Sequence, residues 1–280
     1  MPKNGRLVFA CGALVVLAAC SDSAAAPGAA RLSIQLTDAP GDYVASAVVQ
    51  LGAVSLIPAD SGAPLVITED AGTHDLLTLQ NGVTADLASL DIPAGDYQQL
   101  RLVVQSATVT LKDGYTFPGG SPTAVLKVPS GASSGIKVNL GTVHIASGQT
   151  VIVVDFDVSQ NFRIQGNPDT PAGIKGMLFT PLLRATVRDV AGSIAGTVTL
   201  DTGGVAVGRV VRGVPDTSTV AEAYQTLEVT AVTDSTGAYA LRFLPPGTWR
   251  VSVDSSAADT LTVPVGAQEH VTGVDFTIAG

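Results

Sequence analysis

A chain of 280 residues with 46% hydrophobic and only 14% charged residues is long enough for one large or two ordinary domains with packed cores. Its formal charge of −9 argues against sequence-independent binding to nucleic acid, which needs a basic footprint to neutralise phosphates. Val, Ile and Leu recur along the whole length, which excludes a disordered acidic tail, and past the N-terminus no apolar run approaches the ~20 residues that span a bilayer.

The chain opens with Lys3 and Arg6, followed by an apolar stretch over residues 7–16 whose length suits a signal peptide better than a membrane span. It runs into Leu17-Ala18-Ala19-Cys20, which resembles the lipobox of bacterial lipoproteins. The resemblance implies cleavage before Cys20 and a covalent lipid on its thiol; the alternative is an ordinary secretory signal in which Cys20 is incidental. Loss of residues 1–19 removes Cys11, so no disulfide remains possible, and removes Lys3 and Arg6, which takes the charge from −9 to about −11. Residues 20–31 are small and polar and read as a flexible lipidated tether. An acidic domain beside an acidic membrane is expected to stand off the bilayer. Ser21 after the cysteine points to the outer membrane if the organism is Gram-negative.

From Leu32 onward the apolar residues alternate with period two and are punctuated by Gly, Pro, Asn and Asp, which predicts an all-β fold of sandwich type. Leu32, Ile34 and Leu36 alternate with Ser33 and Gln35, and residues 38–42 supply a turn. Longer strands are predicted over residues 47–57, 99–112, 150–158 and 178–189, with a few helical turns possible near residues 86–90. A boundary at Val190-Ala191-Gly192 divides a first β-sandwich, residues 32–190, from a second, residues 191–280.

In the second segment, Asp234-Ser235-Thr236-Gly237 makes a hairpin turn, Tyr239 and Leu241 point inward, Pro245-Pro246-Gly247 reverses the chain, and Trp249 and Val251 re-enter the core. This pattern resembles the regulatory-like domain of carboxypeptidases, which implies a seven-stranded, prealbumin-like Greek-key sandwich. That architecture is shared with starch-binding domains, so the resemblance implies carbohydrate binding by fold analogy alone. The first segment carries Leu36-Thr37-Asp38-Ala39-Pro40-Gly41-Asp42-Tyr43, Asp75-Leu76-Leu77-Thr78-Leu79-Gln80-Asn81-Gly82 and Ile92-Pro93-Ala94-Gly95-Asp96-Tyr97. It continues with Val128-Pro129-Ser130-Gly131, Gly135-Ile136-Lys137, Asp155-Phe156-Asp157, and Leu182-Leu183-Arg184 after Pro181. These motifs resemble the bacterial domain of unknown function 4382, which implies an envelope protein and no established activity. Ser159-Gln160-Asn161 departs from the serine-rich run that often follows Asp-Phe-Asp in that family.

Asp155 and Asp157 close an apolar strand, and alternation would set both carboxylates on one face, ~6.5–7 Å apart. With Asp38 or Asp42 and backbone carbonyls they are candidate ligands for Ca²⁺, which takes several hard oxygens. The alternative is a structural role, bonding turn amides or contacting Arg163, Lys137 or Arg184; a glycosidase pair would need a walled cleft. Residues 131–135 have the spacing of a nucleophile elbow but lead into an alternating strand rather than a helix. His74, His144 and His270 are isolated in sequence and lack the spacing of a zinc site. Among the aromatics, Tyr43, Tyr97, Tyr115 and Trp249 could stack on sugar rings. Tyr97 and Trp249 sit in core-forming motifs, which leaves Tyr115, in a hairpin, as the candidate exposed ring. The sequence thus predicts a lipid-anchored, non-catalytic envelope protein with no other cofactor, whose partners are the membrane and a polysaccharide or envelope protein. A structural spacer is the alternative and a hydrolase the third reading.

Overall fold

The computed structural model describes residues 29–38, 43–129, 135–170, 173–254 and 260–280. In its first part the strands are β1 (Ala29–Thr37), β2 (Val44–Pro58), β3 (Leu65–Thr68), β4 (Gly72–Asp75), β5 (Ala85–Pro93) and β6 (Gly95–Leu111). They continue as β7 (Thr123–Leu126), β8 (Ile136–Ile145), β9 (Gly148–Asp155), β10 (Phe162–Gly166), β11 (Ile174–Phe179) and β12 (Arg184–Val187). A single helical turn, α1 (Val158–Asn161), follows β9, and 3-10 turns occupy Leu76–Leu79 and Arg188–Val190.

One sheet has the order β12-β9-β1-β5, with β1 and β9 parallel and the other pairs antiparallel. The other is built on the long β2–β6 pair, with β3 and β4 along the free edge of β2 and β7 and β8 along that of β6. The two sheets share one apolar core. β1 shows why the sequence folds this way: Ala30, Leu32, Ile34 and Leu36 are wholly buried, while the intervening residues pair across to β5 on the outer face. There Arg31 meets Asp91 at 3.1 Å, Ser33 meets Ser89 at 3.2 Å and Gln35 meets Asp86 at 2.8 Å. Such cross-strand polar pairs hold the register that keeps the apolar set inward.

The second part contains β13 (Gly192–Leu200), β14 (Val210–Pro215), β15 (Val229–Val232), β16 (Ala238–Leu244), β17 (Gly247–Val253), β18 (Leu261–Val265), β19 (His270–Val271) and β20 (Phe276–Ile278). One sheet runs β15-β14-β17-β18; in the other, β13 pairs with β16 on one side and with β19 and β20, both parallel to it, on the other. Counting β19 and β20 as one interrupted strand gives the expected seven. Gly196 permits the interruption: a Cβ there would lie 1.9 Å from the Val274 carbonyl oxygen, so only glycine lets the returning chain this close. The second core is separate from the first and is centred on the wholly buried Trp249.

Tyr97 and Trp249 are both core residues, and they use the same device. Each follows a Pro-x-Gly corner and donates its polar hydrogen to the carbonyl of the proline four residues back, Tyr97 Oη to Pro93 at 2.8 Å and Trp249 Nε1 to Pro245 at 3.1 Å. A large ring is thereby buried with its polar atom satisfied.

Four expected features differ. The segment around residues 86–90 is strand β5, its outward side chains engaged by β1, and the helical turns lie instead at Leu76–Leu79 and Val158–Asn161. The strand expected over 150–158 ends at Asp155, and the one expected over 178–189 is interrupted between Phe179 and Arg184. The tether expected over residues 20–31 is shorter at its far end, because β1 begins at Ala29 and Ala30 is buried.

Replacing Trp249 by Ala removes the largest side chain of the second core and should cost about 3–5 kcal/mol in denaturant unfolding. Trp249→Phe, which forfeits mainly the bond to Pro245, should cost about 1 kcal/mol. A loss below about 1 kcal/mol for the alanine variant would contradict this assignment of the core.

Candidate functional site

The predicted carboxylates lie at the corner where β9 ends. The Phe156 N–H still donates to the Thr37 carbonyl at 3.1 Å, and its wholly buried ring stacks on Phe179 with centroids 6.1 Å apart. Asp157 then leaves the strand direction and caps α1: its Oδ1 accepts from the Gln160 N–H at 3.3 Å and the Ser159 hydroxyl at 2.6 Å. Asp is a favoured residue there because its carboxylate satisfies a first-turn N–H that has no helical partner. The Val158 N–H is satisfied by Asp38 Oδ1 at 2.9 Å, from the end of β1 and 120 residues away in sequence. Asp38 and Asp157 therefore do converge, but on the backbone of α1.

Asn161, wholly buried, closes the corner. Its Nδ2 donates to the carbonyls of Phe156, Asp157 and Leu182 at 2.7, 2.9 and 3.2 Å, and its Oδ1 accepts from the Leu182 N–H. Its own carbonyl accepts from the Thr180 N–H at 2.9 Å. These bonds explain the break in the strand expected over 178–189: residues 180–182 are turned toward Asn161 instead of toward β9.

Past the break, Arg184 stands opposite Asp155 in the β12–β9 ladder. Its guanidinium donates to Gln160 Oε1 at 3.2 Å and to the Glu228 carbonyl in the second sandwich at 3.1 Å, and lies 4.0 Å from Asp157 Oδ2. Arg184 is thus the cation that meets the carboxylates, of the three considered from sequence. Burial, and then the neighbouring Asp157 charge, push the Asp155 carboxyl up to about 7 against the opposing pull of Arg184. Burial also raises Asp157, although Ser159, Arg184 and the Gln160 N–H favour its charged form. Asp38, Asp155 and Arg184 border a cavity of about 30 Å³ with Thr186, Thr230 and Arg242, space for about one water molecule.

Asp155 and Asp157 do not share a strand face, because the chain turns out of β9 between them. Among the described residues no group of three or more His, Cys, Asp or Glu is placed to hold a metal ion. Asp42 lies outside the described residues, as do Cys20 and residues 131–134 of the glycine-serine loop. Tyr115, expected as an exposed ring, is half-buried: it packs edge-on against Tyr43 at 5.3 Å and against the first core. The three histidines stay apart, His74 bonding the Ala71 carbonyl, His144 pairing with Asp96, and His270 bonding Ser193. Asn161 was not singled out from sequence as a site residue, and its one signal there was its place at the end of the polar run Ser159-Gln160-Asn161 that follows Asp-Phe-Asp.

The family model described as Domain of unknown function (DUF4382) matches residues 29–171, which is just over half of the chain and includes β1 to β10 with Asp38, Asp155, Asp157 and Asn161 of this corner. The chain belongs to that family. Of the family-like motifs, Leu182-Leu183-Arg184 lies beyond the matched stretch. No curated protein matches the chain. Solved structures similar to it include BcpA, the major pilin subunit of Bacillus cereus, at 10% identity over 87% of this chain and 98% of that one, with a TM-score of 0.23. The minor pilin of Streptococcus agalactiae is 10% identical over 90% of this chain and 97% of that one, with a TM-score of 0.24. The Bacillus anthracis TIE protein is 10% identical over 88% of this chain at a TM-score of 0.24, and this chain spans 40% of its length.

In the DUF4382 domain Asp155 holds its proton more tightly when folded, up to about 7, than at its ordinary value of 3.8. A raised folded value means a contribution to stability that is complete below about pH 4 and is lost as the pH rises through about 7. The melting temperature should therefore fall across that window, and Asp155→Asn should flatten the fall and melt a few degrees above the wild type at pH 8. Parallel melting curves for the two proteins between pH 4 and pH 8 would contradict the assignment.

Proposed function

We propose that this protein is anchored in the cell envelope by a lipid on Cys20 and acts there as a non-catalytic binding module for polysaccharide or another envelope component. The anchoring half rests on Leu17-Ala18-Ala19-Cys20 behind a basic, apolar leader, with a short run of small residues before β1 begins at Ala29. In a Gram-negative organism the membrane would be the outer one. Among the described residues no helix is long and apolar enough to cross a membrane.

The non-catalytic half is carried by how the carboxylates are spent. Asp38 and Asp157 accept from backbone amides of α1, Asp157 also faces Arg184, and the cavity beside Asp155 has room for water rather than a sugar ring. A glycosidase needs two carboxyl groups facing each other across a substrate-sized cleft. The second sandwich resembles a carboxypeptidase regulatory-like domain, which favours carbohydrate as the ligand class. The spacer reading is favoured by a separate observation, the polar contacts from Arg184 to Glu228 and from Gln268 to Asp189 that join the two sandwiches.

Cys20→Ser should shift the protein from the membrane to the soluble fraction and abolish labelling by a fatty-acid probe, and purified protein should bind immobilised envelope polysaccharide. Continued membrane fractionation with label in the variant would overturn the anchor. Absence of binding to any glycan would leave the spacer role.

A further inference from the structure

A second, larger depression lies where the two sandwiches meet. It measures about 550 Å³, within the ~300–1,000 Å³ typical of small-ligand sites. The first sandwich contributes Gly82 and Arg188; the second contributes Ser193, Arg242, Phe243, Gln268 and His270.

Its charge runs against that of the protein. In a chain of net charge −9 with 24 acidic residues, the groove presents two arginines and one carboxylate, that of the exposed Asp189. Among the described residues neither arginine forms an ion pair, the pairs being Arg31–Asp91, His144–Asp96, Arg184–Asp157, Arg209–Asp254 and Arg212–Glu228. Arg188 lies over the Phe243 ring, 5.6 Å from its centroid, and reaches the Thr84 hydroxyl at 3.5 Å. Arg242 is exposed, and its stem lies so close over Gly82 that a Cβ there would come within 1.9 Å of Arg242 Cδ. With φ +84 as well, Gly82 is a position that glycine alone fills, and it leaves the Arg242 stem room at the junction.

Phe243 supplies an independent sign. It is a bulky residue with φ +57, a left-handed conformation that costs free energy for any residue with a Cβ. Strain of this kind clusters at ligand sites, where the surrounding structure holds it in place. Here it sets the ring under Arg188 at the lip of the groove.

We infer that this groove binds an acidic saccharide, with Arg188 and Arg242 engaging its carboxylate or phosphate oxyanion and the polar side chains of Ser193, Gln268 and His270 facing its hydroxyls. The inference rests on the reading of the protein as an envelope-binding module and gives that module its site. Guanidinium groups suit oxyanions because their planar donors match carboxylate and phosphate geometry. A densely charged polyanion is disfavoured by the acidic remainder of the surface, which leaves sparsely charged saccharides as the class that fits.

The test is calorimetric titration of the full chain in detergent with three probes: a neutral-backbone oligosaccharide carrying a single uronic acid, the same oligosaccharide carrying a single phosphate instead, and a neutral cello-oligosaccharide. One or both acidic probes should bind, more weakly at high salt. Arg242→Gln should weaken that binding about 10-fold or more with its melting temperature unchanged, and the Arg188→Gln/Arg242→Gln pair should abolish it while circular dichroism shows the β fold retained. The carboxylate and phosphate arms report which oxyanion is preferred. Equal binding by wild type and double variant would overturn the inference, as would binding of the neutral probe alone, which would still uphold saccharide binding elsewhere on the protein. Failure of all three probes would overturn the site and the saccharide reading together.

Discussion

The side-chain amide of Asn161 is the contact on which the arrangement of this protein depends. One buried group satisfies the carbonyls of Phe156, Asp157 and Leu182 and the Leu182 N–H, so it fixes where β9 ends, how α1 begins and where the chain breaks before β12. Each such bond contributes roughly 1 kcal/mol net, but an unmet buried partner costs about 1–3 kcal/mol, so truncation would cost more than the bonds themselves contribute. The consequence reaches beyond the corner. With residues 180–182 held against Asn161, Arg184 enters β12 opposite Asp155 and directs its guanidinium across to the Glu228 carbonyl of the second sandwich.

The same residues that were candidates for chemistry thus serve connection. Asp38 and Asp157 accept from the Val158 and Gln160 amides of α1, and the charge of Arg184 compensates Asp157 while another of its donors spans the junction. A buried ion pair is weak evidence for stability by itself, since desolvation offsets much of its attraction. Its geometric effect is plainer, because a guanidinium with several acceptors in separate segments restricts how those segments move. Arg188 on Phe243 and Gln268 on the Asp189 carbonyl add further ties along the same seam. The groove of unpaired arginines opens beside them and would owe its shape to that rigidity.

What was legible in the sequence was whatever period two and local turn chemistry decide. Alternation through Leu32, Ile34 and Leu36 marks β1 because one face of that strand is wholly buried, and the Pro-x-Gly corners before Tyr97 and Trp249 are local enough to read directly. The ends of β9 and β11 were hidden because they are set at long range. Asp157 begins α1 only with Asp38, 120 residues earlier, bonded to Val158, and the break at residues 180–182 exists only because Asn161 reaches them. Residues 86–90 lack a clean period-two pattern because a bulge at Leu87 interrupts the alternation of β5, and pairing with β1 decides the outcome. The groove was invisible for the same reason, since Gly82, Arg188 and Arg242 come from three distant stretches.

The central claim is that the junction holds the two sandwiches as one body. Spin labels on cysteines placed at the exposed Val125 and Val205, one in each sandwich, would measure it in a chain also carrying Cys11→Ser and Cys20→Ser. A single narrow distance distribution that broadens on Arg184→Ala is the predicted result. A broad distribution in the otherwise wild-type chain, unchanged by Arg184→Ala, would contradict the account.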